Sequence, residues 1–367
     1  MNAPEPGFRR PVTIVTGFLG SGKTTTLARA LKAPEFAGAI AIINEFGEVG
    51  LDHLLIETSE ERFALLDNGC ICCTIRDDLV ETLLGLIARA DAGQLPDFKR
   101  VVVETTGLAD PAPILHALMA QERLAASFFI DGVVTTIDAV NGLATLAAHP
   151  EAAKQAAVAD RLLLTKIDIA VPAGLSALEA RLAVLNPTAE RVYSRFGDAP
   201  ASGLIDIGSQ TPRDLLQWFD RAALASRRSG FRADGCDADC NDRECDDPRH
   251  RPRHMDGIST FCVAIDQPVK WSAFKQWLEY LALLKGEDLL RFKGLLQIEE
   301  RPETPIVVQG VQHIFHPPRE LECWPDADRR SRLVFITRRI SRETIVGTLC
   351  KFAGVDIAAT NGFRAVS

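Results

Sequence analysis

The run Gly17-Phe18-Leu19-Gly20-Ser21-Gly22-Lys23-Thr24-Thr25 constrains this chain more than any other stretch. It completes the pattern G-x-x-x-x-G-K-T, follows the short β-branched run Pro11-Val12-Thr13-Ile14-Val15-Thr16, and precedes the helix-compatible Thr26-Leu27-Ala28-Arg29-Ala30-Leu31. Strand, glycine loop and helix in that order make a phosphate cradle. The glycines let backbone N–H groups close around phosphate oxygens, and the helix N-terminus adds a positive dipole. Gly17, Gly20, Ser21, Gly22, Lys23, Thr24 and Thr25 are the expected nucleotide contacts, with Lys23 reaching the β and γ phosphates and Thr24 holding magnesium.

The segments that follow repeat one plan, an apolar run ending in polar residues. Residues 39–43 predict a strand leading into Asn44-Glu45-Phe46-Gly47-Glu48-Val49-Gly50-Leu51-Asp52. Carboxylates just after a strand, at the edge where a phosphate loop lies, are placed for magnesium, its waters or a bound metal, although the same residues suit a solvated acidic loop. Residues 99–107 read as a charged start, a buried strand, then Glu104 three positions before Gly107. A carboxylate there orients magnesium or water, and the glycine N–H can approach a γ-phosphate. Residues 130–138 and 161–168 hold two more strands, the second ending in Thr165-Lys166-Ile167-Asp168. A carboxylate can accept both the N1–H and N2–H of a guanine edge, a donor pair that adenine lacks, so Asp168 is the candidate base reader, with the Lys166 stem covering the base. Strands alternating with helices to about residue 220 predict an open α/β domain with a mostly parallel sheet.

Between these segments lies Gly69-Cys70-Ile71-Cys72-Cys73, three thiols in four positions, ahead of a predicted helix over residues 74–90. The nine cysteines of the 367-residue chain are an odd number and make a poor disulfide framework. A turn after Gly69 lets several thiolates converge, so Cys70, Cys72 and Cys73 are candidate metal ligands. A redox pair of Cys70 with one neighbour is the competing reading. The net charge of −8 and pI near 5.5 argue against a nucleic-acid surface. The N-terminus lacks the apolar core of a signal peptide and no stretch has the length of a membrane span, so a cytoplasmic location is expected.

Composition shifts at Arg227. Residues 232–254 contain six Asp, three Cys and two His without apolar periodicity, and predict a solvated linker that could also capture metal. The expected division is residues 1–226, a linker 227–257, and a smaller α+β domain 258–367. In the last, strands are expected over 259–265, 289–298, 304–315 and 332–337, with helices over 271–285 and 341–352. Arg291-Phe292-Lys293-Gly294 and His313-Ile314-Phe315-His316 are candidate surface contacts, although alternate residues on a strand more often just share a face. His313 and His316 would face opposite sides of a strict strand, which disfavours a paired metal site.

Taken together, Gly17 to Thr25, the Asn44-Glu45-Phe46-Gly47-Glu48 loop, Gly69 to Cys73, Glu104 to Gly107 with Ala109-Asp110-Pro111, and Thr165 to Asp168 resemble the CobW-like P-loop GTPases. That family is related to the nickel-insertion GTPases of urease and hydrogenase maturation. The resemblance implies a P-loop NTPase domain followed by a CobW-like C-terminal domain, with hydrolysis of GTP coupled to delivery of a transition metal to a client metalloprotein. Zn2+ is the ion it implies first, with Co2+ or Ni2+ next. Cys70, Cys72 and Cys73 match its metal motif, Lys23 and Thr24 its phosphate and Mg2+ positions, Glu104 its acidic strand end and Asp168 its guanine reader. Glu48 stands as a water-positioning candidate and Glu45 as a metal-side candidate, an assignment the residues leave open. Thr165 departs from the asparagine of classical GTPases, which removes a side-chain amide. A metal-sensing or sequestering GTPase that keeps its ion is the alternative, and a homodimer is left open.

Overall fold

The computed structural model describes residues 9–43, 63–65, 74–95, 97–208, 215, 216, 218–222, 257–355 and 357. The chain divides into two compact units: residues 1–179 with 189–210, and residues 180–188 with 211–367.

The first unit is built on a seven-stranded sheet. Its strands are β1 (Arg10–Gly17), β2 (Ala39–Ile43), β3 (Phe63–Leu65), β4 (Arg100–Glu104), β5 (Phe128–Asp138), β6 (Arg161–Thr165) and β7 (Glu190–Tyr193), in the order β3-β2-β4-β1-β5-β6-β7. Every pairing is parallel. Parallel strands need helical crossovers, so both faces are covered and the central strands read as continuous apolar runs. Val101, Val102 and Val103 of β4 and Leu162, Leu163 and Leu164 of β6 are buried accordingly. The register brings the carboxyl ends level: Val15 and Ile43 both pair with Glu104, Gly17 pairs with Thr136, and Asp138 pairs with Thr165. One sheet edge therefore collects the phosphate loop, Glu104, Asp138 and Thr165, where open α/β sheets place their ligands. The edge strand β7, Glu190-Arg191-Val192-Tyr193, carries no apolar run and gives no sequence signal.

The second unit carries an antiparallel sheet of β8 (Ile258–Ile265), β9 (Leu289–Ile298), β10 (Arg301–Val311), β11 (Ile314–Phe315), β12 (Arg319–Glu320) and β13 (Ser331–Arg338). Its central order is β11-β10-β9-β13-β8, with β12 on β10. Side chains alternate between two cores as a period of two requires. Phe261, Val263, Leu333 and Phe335 join Phe274, Trp277, Ile345 and Leu349 of the helices Trp271–Lys285 and Arg342–Ala353. Cys262, Ala264 and Val334 face the other way, against Leu215, Trp218, Phe219 and Ala222. These four residues lie ahead of the expected domain boundary at 226, yet their apolar face is buried on the second sheet.

Two expectations need correction. The strand expected over 304–315 is a hairpin: the chain reverses at Gln312, whose φ is 54°, and Val311 pairs with Ile314 antiparallel. His313 thus lies in the turn itself and His316 follows β11, instead of the two sharing one strand. Arg291 and Lys293 are not surface contacts, being 2% and 1% exposed, with the Lys293 ammonium 4.3 Å from the Trp218 ring centre. That cation–π contact replaces part of the hydration lost on burial.

Candidate functional site

β1 delivers Gly17 with φ at +142°, and the loop then turns through Gly20 and Gly22 at +70° and +92° before helix α1 (Lys23–Ala30) begins. A side chain at Gly17 would collide with Thr136 Oγ1 at 2.3 Å, so glycine is required there for space as well as for φ. Gly22 is the N-cap of α1 and supplies no side-chain hydrogen bond, which leaves the first-turn N–H groups for an anion. Lys23 is 8% exposed, and its ammonium donates to the carbonyls of Gly17 at 2.8 Å and Phe18 at 3.2 Å, at the mouth of the loop.

The loop is held from below by three hydroxyls. Ser21 Oγ and Thr136 Oγ1 are 2.6 Å apart, Thr136 Oγ1 donates to Thr16 O, and Thr165 Oγ1 donates to Ser21 O at 2.6 Å. Thr165, read from sequence as a base-side position, therefore braces the phosphate loop from β6. Lys166 has a left-handed backbone, φ 58°, and its ammonium bridges Gly20 O and Asp138 Oδ2, both at 2.8 Å. Burial pushes the Asp138 carboxyl up. The hydrogen bonds from Lys166, from the backbone of Val140 and Asn141, and from the Asn141 side chain outweigh that and hold it below the usual carboxylate range.

Thr24 Oγ1 donates to Glu104 Oε1 at 2.6 Å. Glu104 is 3% exposed at the end of β4. A hydroxyl and a carboxylate converging beside a phosphate cradle are two hard oxygen donors, the set that Mg2+ takes together with phosphate oxygens and water. The residues present thus fit the ion. Gly107 lies against the loop from the other side, since a Cβ there would sit 2.7 Å from Leu19 N and 2.8 Å from Leu19 Cα.

Asp168 Oδ1 accepts the backbone N–H of Phe196 at 2.8 Å. The 194–198 turn beyond β7, with Phe196 at φ 51° and Gly197 at +81°, therefore orients the expected base reader, and a Cβ on Gly197 would meet the Thr25 methyl at 3.1 Å. Sequence reasoning missed this turn, together with Thr136 and Asp138. The signal for Asp138 was its place at a strand end on the same edge. Glu45, Glu48, Cys70, Cys72 and Cys73 lie outside the described residues, as does the 232–254 stretch. Among the described residues, no group of three or more His, Cys, Asp or Glu is placed to hold a metal, and no helix is long and apolar enough to cross a membrane.

The profile of the CobW/HypB/UreG nucleotide-binding domain matches residues 11–193, and that of the cobalamin synthesis protein CobW C-terminal domain matches residues 258–353. The chain is similar to the zinc chaperone YjiA of Escherichia coli K12, with 34% identity over 91% of this chain and 96% of the relative. It is also similar to the zinc-regulated GTPase metalloprotein activator 1 of Schizosaccharomyces pombe, with 28% identity over 83% of this chain and 76% of the relative. Among solved structures, Zn(II)-bound YjiA GTPase from E. coli superposes with a TM-score of 0.65 and 29% identity, covering 94% of this chain and 99% of that one.

Proposed function

The chain belongs to the CobW/HypB/UreG family, and from that premise we propose that it is a GTP-hydrolysing metallochaperone of the cytoplasm. Its cargo is a transition metal, Zn2+ before Co2+ or Ni2+, held by Cys70, Cys72 and Cys73 and passed to a client metalloprotein under nucleotide control. The observation that carries the nucleotide half is the 2.6 Å contact of Thr24 with Glu104 beside the Lys23 loop. The metal half is supported by relatives named zinc chaperone and zinc-regulated metalloprotein activator, and by the thiol spacing.

In this reading the α1 N-terminus and Lys23 neutralise the β and γ phosphates and hold them in line for attack. Thr24 and Glu104 would hold Mg2+, which supplies charge neutralisation on the phosphate oxygens. Asp168, held by the Phe196 N–H, accepts the guanine edge. Glu48 positions the attacking water or, with Glu45, completes the shell of the cargo ion. Three thiolates leave a fourth tetrahedral position to an exchangeable ligand, which suits an ion that must leave.

The test compares the wild-type chain with a Cys70→Ala/Cys72→Ala/Cys73→Ala variant for GTP turnover, zinc affinity with GTP analogue against GDP, and zinc transfer to an apo-metalloenzyme. The expected result is turnover in the wild type, zinc affinity that differs between the two nucleotide states, and loss of tight zinc binding in the variant. Equal zinc affinity in both states, with hydrolysis indifferent to the ion, would overturn the coupling.

A further inference from the structure

The helix Pro150–Val158 crosses beneath the site and is lined with small residues: Ala152, Ala153, Ala156 and Ala157 are buried in it. Small side chains let the helix lie close to its neighbours. One large polar residue sits among them, Gln155, only 1% exposed. Its side-chain nitrogen donates to two carbonyls of the loop that follows Glu104, Gly107 O at 3.1 Å and Ala109 O at 3.0 Å. Its own carbonyl accepts Thr135 Oγ1 of β5 at 2.8 Å, so the residue is anchored to the sheet at one end and to the loop at the other. The next residue back, Lys154, pairs with Asp110 Oδ2 at 2.7 Å at the end of the same loop.

The amide is placed for its donors. Its Oε1 is buried and accepts no hydrogen bond among the described residues. A buried acceptor left without a partner is destabilising, a penalty that a methionine or leucine of similar size would avoid. Turning the amide over would set Oε1 against two carbonyl oxygens, so the two acceptors fix its orientation. The same helix also reaches the phosphate loop, for His149 at its N-cap stacks on Phe18 with ring centres 4.4 Å apart.

We propose that Gln155 is a positioning residue for the γ-phosphate. By holding the carbonyls of Gly107 and Ala109, it fixes the residue whose N–H meets that phosphate, pressed between the helix and the backbone of Leu19. The role acts on the triphosphate state and leaves the α- and β-phosphate cradle untouched. It rests on the GTPase reading given above.

The experiment uses the full chain as wild type, Gln155→Met and Lys154→Met. Each is titrated with fluorescent GDP and with a fluorescent non-hydrolysable GTP analogue, and GTP hydrolysis is followed in single turnover. Gln155→Met should keep GDP affinity within about twofold while GTP-analogue affinity and the hydrolysis rate each fall about tenfold, roughly the net worth of a hydrogen bond. Lys154→Met should shift the same ratio in the same direction by less. Wild-type turnover tests the GTPase reading itself, and the variant ratios test Gln155. An equal loss for both nucleotides, or an unchanged hydrolysis rate in Gln155→Met, overturns the proposal. Should Gln155→Met fail to fold, an unchanged analogue-to-GDP ratio in Lys154→Met overturns it.

Discussion

Replacing Gly107 by alanine isolates the contact between the two loops that frame the phosphate site. The backbone of Gly107 lies outside the left-handed region, so the substitution adds volume without backbone strain. The new methyl would meet Leu19 Cδ2 at 2.5 Å, Leu19 N at 2.7 Å and Leu19 Cα at 2.8 Å. The leucine side chain can swing away, but the backbone atoms cannot. Relaxed carbon contacts lie near 3.5–4.0 Å, so one loop must retreat by roughly an ångström. Overpacking of this kind costs about 1–3 kcal/mol. A displacement of about 1 Å at a reacting centre costs on the order of a hundredfold in rate. Gly107→Ala should therefore lose about 1–3 kcal/mol by urea unfolding and about two orders of magnitude in single-turnover GTP hydrolysis. Gly347→Ala, in the helix Arg342–Ala353, is the control: its Cβ would meet nothing within 4 Å, so the variant should keep wild-type turnover and gain rather than lose stability, by up to about 1 kcal/mol. A Gly107→Ala variant that hydrolyses GTP within twofold of wild type would refute the argument that backbone contact between these loops sets the geometry.

Asp168→Ala should weaken GTP by about 10- to 100-fold, the worth of hydrogen bonds to a charged group, while leaving ATP binding unchanged in parallel titrations. Asp138 is held below the usual carboxylate range, so its contribution to stability is complete above the ordinary value near 4 and is lost as pH falls through the lower folded value. The stability gap between wild type and Asp138→Asn should accordingly narrow as pH is lowered below about 4, and a gap that widens in acid would contradict the assignment. In the second unit, Phe335 is fully buried and lies 5.1 Å from Phe292, 5.5 Å from Phe261 and 6.1 Å from Trp277, centre to centre. Phe335→Ala should cost about 3–5 kcal/mol in urea unfolding, and a loss below about 1 kcal/mol would show that this cluster is not packed as described.

Local order in the sequence was enough to determine the phosphate cradle, because its parts are contiguous. A β-branched strand, glycines at φ values that other residues avoid, and a helix start lie within twenty residues, and each choice agrees with the next. The runs of Val101 to Val103 and Leu162 to Leu164 likewise announced strands buried on both faces, and Trp271–Lys285 announced its helix. Only tertiary structure could bring Thr24 to Glu104, Asp168 to the Phe196 N–H, or Gln155 to Gly107, since those contacts depend on strand order and on how far a helix of alanines approaches the sheet. It also decided what the local pattern left open. Thr165, at the head of the Thr165 to Asp168 motif, points its hydroxyl at Ser21, and Arg291 and Lys293, readable as surface contacts or as residues sharing a strand face, are buried, with Lys293 against Trp218. Polarity along a chain records what a side chain prefers in water, whereas its place is set by which surfaces the rest of the fold must cover.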